Sequence, residues 1–309
     1  MRDPIRQESG LDLELRKTYL GTSEWSIIAK LYNQYQSPLD VFNNKIFGHQ
    51  QIDNIDMRFG RDSEAMISKW VEEDENVVVS IDPYVRFHKD YDFLATNLDG
   101  IVHHPDGSPD AVLEIKTTKT IAKQKWGGKL PIQYFTQIQG QMAITGMHKA
   151  YVAVYTVGDY TKDFEIFKYE YSPQYIEPII KDCVTFWNDH IVTKIPPEPV
   201  TDSDIKLTYP EANGESLVAD SKLLQQIESL KQFKETKKEL DQGIKELELQ
   251  IKHKIGHNEF VNDGENIIAT YKNSKPRVTF DRKTFQTENP KEYDKYVIEG
   301  NAYRTLRIK

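Results

Sequence analysis

The chain has 309 residues, 38% of them hydrophobic, 11% aromatic and 28% charged, with 40 Lys and Arg against 48 Asp and Glu. These proportions exclude disorder, collagen or a coiled-coil rod as a description of the whole, and the length predicts two domains or one large domain with an appendage. No apolar run approaches the ~18 residues of a membrane span, and the opening MRDPIRQESG lacks the apolar stretch of a secretion signal. A lone cysteine, Cys183, can form neither an internal disulfide nor a zinc or iron–sulfur site by itself, so a reducing cytoplasm is expected. Any metal must then use oxygen or His ligands. The net charge of −8 argues against a general nucleic-acid coat. Yet no acid lies between Glu114 and Asp159, while Lys116, Lys119, Lys123, Lys125, Lys129 and Lys149 do, so a basic strip adjoins an acidic centre.

In chain order, TSEWSIIAKLY predicts a first helix over 22–32, with Trp25, Ile28, Ala29 and Tyr32 at helical spacing. QSPLDVFNNKIFG predicts a second, with Ser37 as cap, Pro38 at the first position and Gly48 as stop. A third is expected from about Asp56 to Glu73. NVVVSID, FLATNLDGIVHH and AVLEIKTT read as strands, with HPDGS as a turn. Helix returns over Ile132 to Thr145, then a hairpin turned at Gly158 and Asp159, then a helix from Pro173 to about His190. This order suggests a mixed sheet flanked by helices. IPPEPVTDSD marks a linker, so the expected division is a core over 1–200, a linker over 201–214 and an extension over 215–309. Leu223 to Ile251 keeps the spacing of a long amphipathic helix or helical hairpin with coiled-coil character, and a break or bend is expected at Gly243. The tail reads as a small unit of strand and helix.

Alternation in AVLEIKTT puts Val112, Glu114 and Lys116 on one face and Ala111, Leu113 and Ile115 on the other. A carboxylate and an ammonium thus share an otherwise apolar strand, where charges persist only when paired or metal-bound. An acid-x-Lys triplet is a weak signal by itself, because roughly five arise by chance in such a composition. Those starting at Asp204, Asp220, Glu235 and Asp281 lie in linker, helical or polar segments; Glu114 alone lies in an apolar strand preceded by a second strand acid, Asp99. Asp99 and Glu114 are spaced to face one another across a hairpin. With the backbone carbonyl of Ile115 they would suit Mg²⁺, which takes oxygen ligands and keeps several waters. Two such ions would activate water and stabilise the leaving oxygen of a phosphodiester, while Lys116 orients the nucleophile or offsets charge. His103 and His104 beside Pro105 and Asp106 read as an exposed turn rather than a transition-metal site.

Asp-x14-Glu-x-Lys resembles the PD-(D/E)XK nuclease superfamily. LGTSEW, RFGRDSEAMI, the pair LDGIV and LEIKT, and YFTQIQGQMAITGMHKAYVAVY together resemble the YqaJ-type viral recombinases, the family of phage lambda exonuclease, over about residues 16–157. The resemblance implies an α/β (α+β) restriction-endonuclease-like core with a mixed central sheet, followed here by a helical, coiled-coil-like extension. It gives Asp99 and Glu114 the metal places, Lys116 the catalytic lysine and Glu64 a helix carboxylate at the metal or its water shell. Gln137 matches a glutamine near the catalytic water or scissile phosphate, with Gln139 and Gln141 close by, and Arg16 and Ser23 match positions that hold a DNA 5′-phosphate. Leu98 replaces the usual proline before Asp99, a departure that leaves the chemistry intact. The activity implied is Mg²⁺-dependent 5′ to 3′ exonuclease action on double-stranded DNA ends, with two ions and Mn²⁺ as a substitute, producing 3′ overhangs. The implied partners are duplex ends, a phage single-strand annealing protein and further copies in a ring-shaped homotrimer, in the cytoplasm of a bacterial host. The alternatives are an endonuclease of restriction or repair type on the same core, or a catalytically inert scaffold that binds DNA ends. The helical extension is expected to dock a partner or a neighbouring subunit.

Overall fold

Burial of the 109–119 strand from both sides organises the first part of the chain. The structure, a computed structural model, describes residues 2–6, 13–31, 36–48, 54–104, 106–158, 162–300 and 303–308. It divides into two units, Met1–Thr208 and Tyr209–Lys309.

The first unit opens with strand β1 (Ile5–Arg6), helix α1 (Leu13–Lys17) and strand β2 (Leu20–Gly21). A 3-10 turn over Thr22–Glu24 leads into a single helical turn, α2 (Trp25–Ile28), and Lys30 then takes a left-handed φ of 57°. The one helix expected over 22–32 is thus two short pieces, and Tyr32 lies outside the described residues. Helix α3 (Pro38–Phe47) has the ends the sequence predicts. Ser37 accepts from the Asp40 N–H at 3.2 Å, Asp40 accepts from the Ser37 N–H at 2.8 Å, and Gly48 closes the helix at φ 94°. Helix α4 (Ile55–Glu75) starts at Asn54, whose side chain accepts from the Met57 N–H, and ends at the left-handed Asn76.

Strands β3 (Val78–Ser80), β4 (Tyr84–Phe87), β5 (Leu94–Thr96), β6 (Gly100–His103) and β7 (Pro109–Lys119) follow, then helices α5 (Thr120–Gln124) and α6 (Ile132–Thr145). Strands β8 (Lys149–Val157) and β9 (Lys162–Glu170) form the expected hairpin; Asp159, expected at its turn, lies outside the described residues. Helix α7 (Pro173–Phe186) continues as a π turn through Val192. The main sheet has the order β3-β6-β7-β8-β9, with β7 and β8 parallel and its other pairs antiparallel. A parallel neighbour needs a crossover, and α6 lies within it. Val112 packs with Ile138 and Met142 of α6 on one face, and Leu113 and Ile115 pack with Ile67 and Val71 of α4 on the other. Both faces are therefore covered, at about 25 cal/mol per Å² of apolar surface removed from water. A small sheet of order β1-β4-β5-β2 and a helical cluster around Trp25, Phe42 and Ile176 complete the unit.

Residues 202–208, read from sequence as linker, instead form helix α8 (Asp202–Thr208), held to the first unit by a buried side chain. Asp204 accepts from Ser37 Oγ at 2.7 Å and from the N–H groups of Val200 and Thr201 at 2.9 and 3.0 Å. Burial works against its charge, but those hydrogen bonds outweigh it and hold the carboxyl below its usual range. A depressed folded pKa stabilises above the unfolded value and is lost as pH falls through the folded one. Asp204→Asn is accordingly expected to flatten the acid limb of a stability-against-pH curve below about pH 4. An unchanged acid limb in urea titrations would remove this role from Asp204.

The second unit begins with helix α9 (Ser221–Ile255), capped by Asp220 accepting from the Leu223 N–H at 2.7 Å. The helix runs without interruption past Gly243, where a break or bend was expected. A hairpin of β10 (Phe260–Asn262) and β11 (Ile267–Thr270) and the short helices α10 (Arg282–Glu288) and α11 (Pro290–Asp294) follow. Among the described residues no helix is long and apolar enough to cross a membrane.

Candidate active site

The β6–β7 hairpin sets Gly100 opposite Leu113, so one further step of the same register brings Asp99 level with Glu114. The chain leaves the ladder at Asp99, whose Oδ2 accepts from the Ile115 N–H at 2.7 Å. N–H and C=O of one strand residue point to the same edge, so the Ile115 carbonyl faces the gap that β6 vacates. Glu114 is 2% exposed, on the strand face that meets α6. Its Oε1 accepts from Lys116 Nζ and from Gln137 Nε2, the latter at 2.7 Å, and its Oε2 accepts from Gln141 Nε2 at 2.5 Å. Lys116 Nζ also lies 5.2 Å from the centre of the Tyr134 ring.

These contacts set the electrostatics. Asp99 is pushed well above the usual carboxylate range, first by burial and then by the Glu114 charge, against the pull of Lys116 and the Ile115 N–H. Burial by itself would lower Lys116, but Glu114 and Asp99 overcome it and hold the ammonium charged well above its ordinary range. Glu64 of α4 is half-buried and raised, by burial first and next by Glu114, with Lys116 and Arg61 opposing. Three carboxylates thus share a field with one ammonium, Lys116, an excess of negative charge that a hard cation would balance. The donors fit such an ion. They are oxygens without Cys or His, and a carboxylate has about four lone-pair sites, so Glu114 retains capacity beyond its three hydrogen bonds. Among the described residues no three His, Cys, Asp or Glu side chains form a metal cage. The set therefore suits an ion held by Asp99, Glu114 and the Ile115 carbonyl, completed by water and substrate phosphate, with Glu64 acting through that water.

Gln141 was not given a role by sequence reasoning beyond proximity. It is fully buried, also donates to the Asn97 carbonyl at 3.3 Å, and so ties the segment before Asp99 to Glu114. The signal was available, since residues four apart on a helix share a face, as Gln137 and Gln141 do. Gln139 points elsewhere, donating to the Glu170 carbonyl and accepting from the Ser172 N–H.

Arg16 and Ser23 make no hydrogen bond or ion pair with this group among the described contacts; they belong to a neighbouring assembly. Ser23 is exposed on the 3-10 turn, whose N-cap is Gly21, with the Gly21 N–H donating to Glu24 at 2.8 Å. Lys45 Nζ donates to the Arg16 carbonyl at 2.9 Å and pairs with Glu24 at 2.8 Å, joining the two segments. Burial is the first cause of a lowered Lys45 pKa. Thr22 bonds Thr96 at 2.8 Å, three residues before Asp99. His103 ends strand β6 half-buried and bonds Ser80 of β3 and the Gly107 carbonyl, so of the two histidines expected in an exposed turn only His104, which meets Asp110 at 2.9 Å, lies exposed beyond the strand.

Residues 13–148 match the model of the YqaJ-like viral recombinase domain, a span that includes each of the side chains described above from Arg16 to Gln141. The resemblance read from the motifs is thus matched by a family model over this stretch of the chain. The uncharacterized protein YqaJ of Bacillus subtilis (strain 168) is 27% identical over 308 residues, covering 95% of this chain and 92% of that protein. Among solved structures, LHK-Exo, an alkaline exonuclease from Laribacter hongkongensis, in complex with dAMP, has a similar fold. The match has a TM-score of 0.50 at 18% identity, over 59% of this chain and 92% of that one.

Proposed function

We propose that this chain is a metal-dependent deoxyribonuclease that degrades double-stranded DNA from its ends, 5′ to 3′, leaving 3′ single strands for recombination by annealing. The observation that carries the reading is the juxtaposition of Asp99 and Glu114 across the hairpin, with Lys116 bonded to Glu114 and held charged. The recombinase domain and the exonuclease fold support it. Mg²⁺, or Mn²⁺ in its place, would supply Lewis-acid activation of water and charge neutralisation at the leaving oxygen. The chain's own residues do the remaining work. Asp99, Glu114 and the Ile115 carbonyl would hold the ion, and Gln137 and Gln141 fix Glu114 so that it need not reorganise during reaction. Lys116 orients the nucleophile and offsets charge on the phosphate. Glu64 would accept hydrogen bonds from water in the site, and Arg16 and Ser23 would receive the 5′-phosphate. A homotrimeric ring, a phage annealing protein as partner and the cytoplasm of a bacterial host complete the proposal by family resemblance.

The test is digestion of a linear duplex labelled separately at each 5′ and 3′ end, with Mg²⁺, with EDTA, and with Lys116→Ala. Release of 5′-terminal nucleotides is expected with Mg²⁺ alone, falling about 10²- to 10⁴-fold in the variant. Cleavage of a closed circle would establish the endonuclease instead. Binding of ends without digestion would establish the scaffold.

A further inference from the structure

We infer that the second unit binds single-stranded DNA on a basic, aromatic surface built by the residues after β11. The inference rests on the proposed nuclease only for the origin of the strand. Residues 272–309 carry ten Lys and Arg against five Asp and Glu, although the whole chain is acidic by 8 charges. Aromatic rings stand among those charges in water: Phe280 is 71% exposed, Tyr296 80% and Tyr303 76%. Rings of this size are ordinarily core, and their exposure together marks a surface that something covers.

The local geometry suits nucleobases. Arg282 donates to the Tyr293 hydroxyl through Nε at 2.6 Å and through a second guanidinium nitrogen, and its carbon lies 5.3 Å from the Tyr293 ring centre. The Phe280 and Phe285 rings meet at 5.0 Å. Four aromatic rings, those of Phe280, Phe285, Tyr293 and Tyr296, line a cleft of about 560 Å³ together with Arg282 and the aliphatic Val297 and Ile298, a volume within the range of ligand-holding clefts. Just after the hairpin, Lys272 sits 4.0 Å over the Phe260 ring of β10. Guanidinium and ring faces stack on any base, and the basic excess of this segment would meet the phosphates. A duplex keeps its bases stacked inside and offers this surface only its backbone, so the rings select a single strand. In the proposed reaction that strand is the 3′ overhang.

The experiment uses the full chain in EDTA, which suppresses cleavage, and follows fluorescence anisotropy of a labelled oligothymidylate and of a duplex of the same length. Phe280→Ala and Tyr296→Ala are each expected to weaken single-strand binding at least about tenfold with little change for the duplex, and Tyr296→Trp to restore it. Phe233→Ala, exposed on α9 outside the surface, should leave binding unchanged. Equal affinities for wild type and both alanine variants would overturn the inference, as would an equal loss for duplex and single strand. A change of oligomeric mass in the variants at unaltered single-strand affinity would assign the surface to a second copy. Binding without digestion of duplex ends would sink the nuclease reading and leave this one standing; digestion without ring-dependent binding would do the reverse.

Discussion

Asp99→Asn is expected to lower digestion of duplex ends by about 10²- to 10³-fold while raising thermal stability in EDTA. The two effects share one cause. Burial and the Glu114 charge disfavour the Asp99 carboxylate in the metal-free chain, and an amide in its place removes that repulsion. The amide oxygen still accepts from the Ile115 N–H, so the backbone contact at the end of β6 survives. The gain should be of order 1 kcal/mol, a few degrees in Tm for a unit of this size. Calorimetry in EDTA and again with Mg²⁺ reads both sides: wild type should gain stability from the ion by mass action and the variant should not. Glu114→Gln is the contrast. It deprives Lys116 of its partner, so activity and stability should fall together. Undiminished digestion by Asp99→Asn would take Asp99 out of the metal site.

Gly140→Ala should be the most damaging small substitution in the first unit. A Cβ there would lie 2.8 Å from Thr22 Cγ2 and 2.9 and 3.0 Å from two atoms of the Trp25 ring. Trp25 is fully buried, so the ring has nowhere to go. Alanine gains up to about 1 kcal/mol over glycine in a helix, but overpacking of ~1–3 kcal/mol or more opposes it. The strain falls where the 3-10 turn bearing Ser23 meets the helix bearing Gln137 and Gln141, so digestion should fall along with Tm. Gly243→Ala in α9 is the control, because nothing lies within 4 Å of its Cβ. There the helix propensity stands alone and a gain of ~0.5–1 kcal/mol is expected. Urea unfolding of both variants measures the difference, and a stable Gly140→Ala would contradict the close approach.

The legible parts of this molecule are those where one local signal has one structural solution. Ser37, Pro38 and Gly48 bracket α3, and period-two alternation puts Glu114 and Lys116 on the face of Val112. The hairpin that pairs Asp99 with Glu114 follows from a turn between two apolar runs. What escaped depends on distant partners. Strand β4 leaves no local signal because its residues find a ladder through β1 and β5, short pieces far apart from one another in the chain. The 22–32 helix breaks because Thr22 and Trp25 answer to Thr96 and α6 rather than to their own spacing. Helix α8 reads as linker in the sequence because Asp204 looks like any surface acid until Ser37, 167 positions earlier, donates to it. In the site, three glutamines alternate along α6, and only the packed structure separates Gln137 and Gln141, which hold Glu114, from Gln139, which secures the end of β9.

The different connections of β7 to its two neighbours give the site an order of assembly. β6 joins β7 through a tight turn, whereas β8 joins it only after residues 120–148 have closed a crossover. Loop closure becomes dearer as the loop lengthens, and parallel pairing is slow to form. Asp99 and Glu114 are therefore expected to meet early, within a local hairpin, and Gln137 and Gln141 to arrive when the crossover closes. If Asp99 and Glu114 hold a divalent ion as proposed, an ion in the refolding buffer would meet those two acids before the amides that immobilise Glu114. Changes in the Gly107 turn should then register in the folding rate, and changes at Gln141 in the unfolding rate.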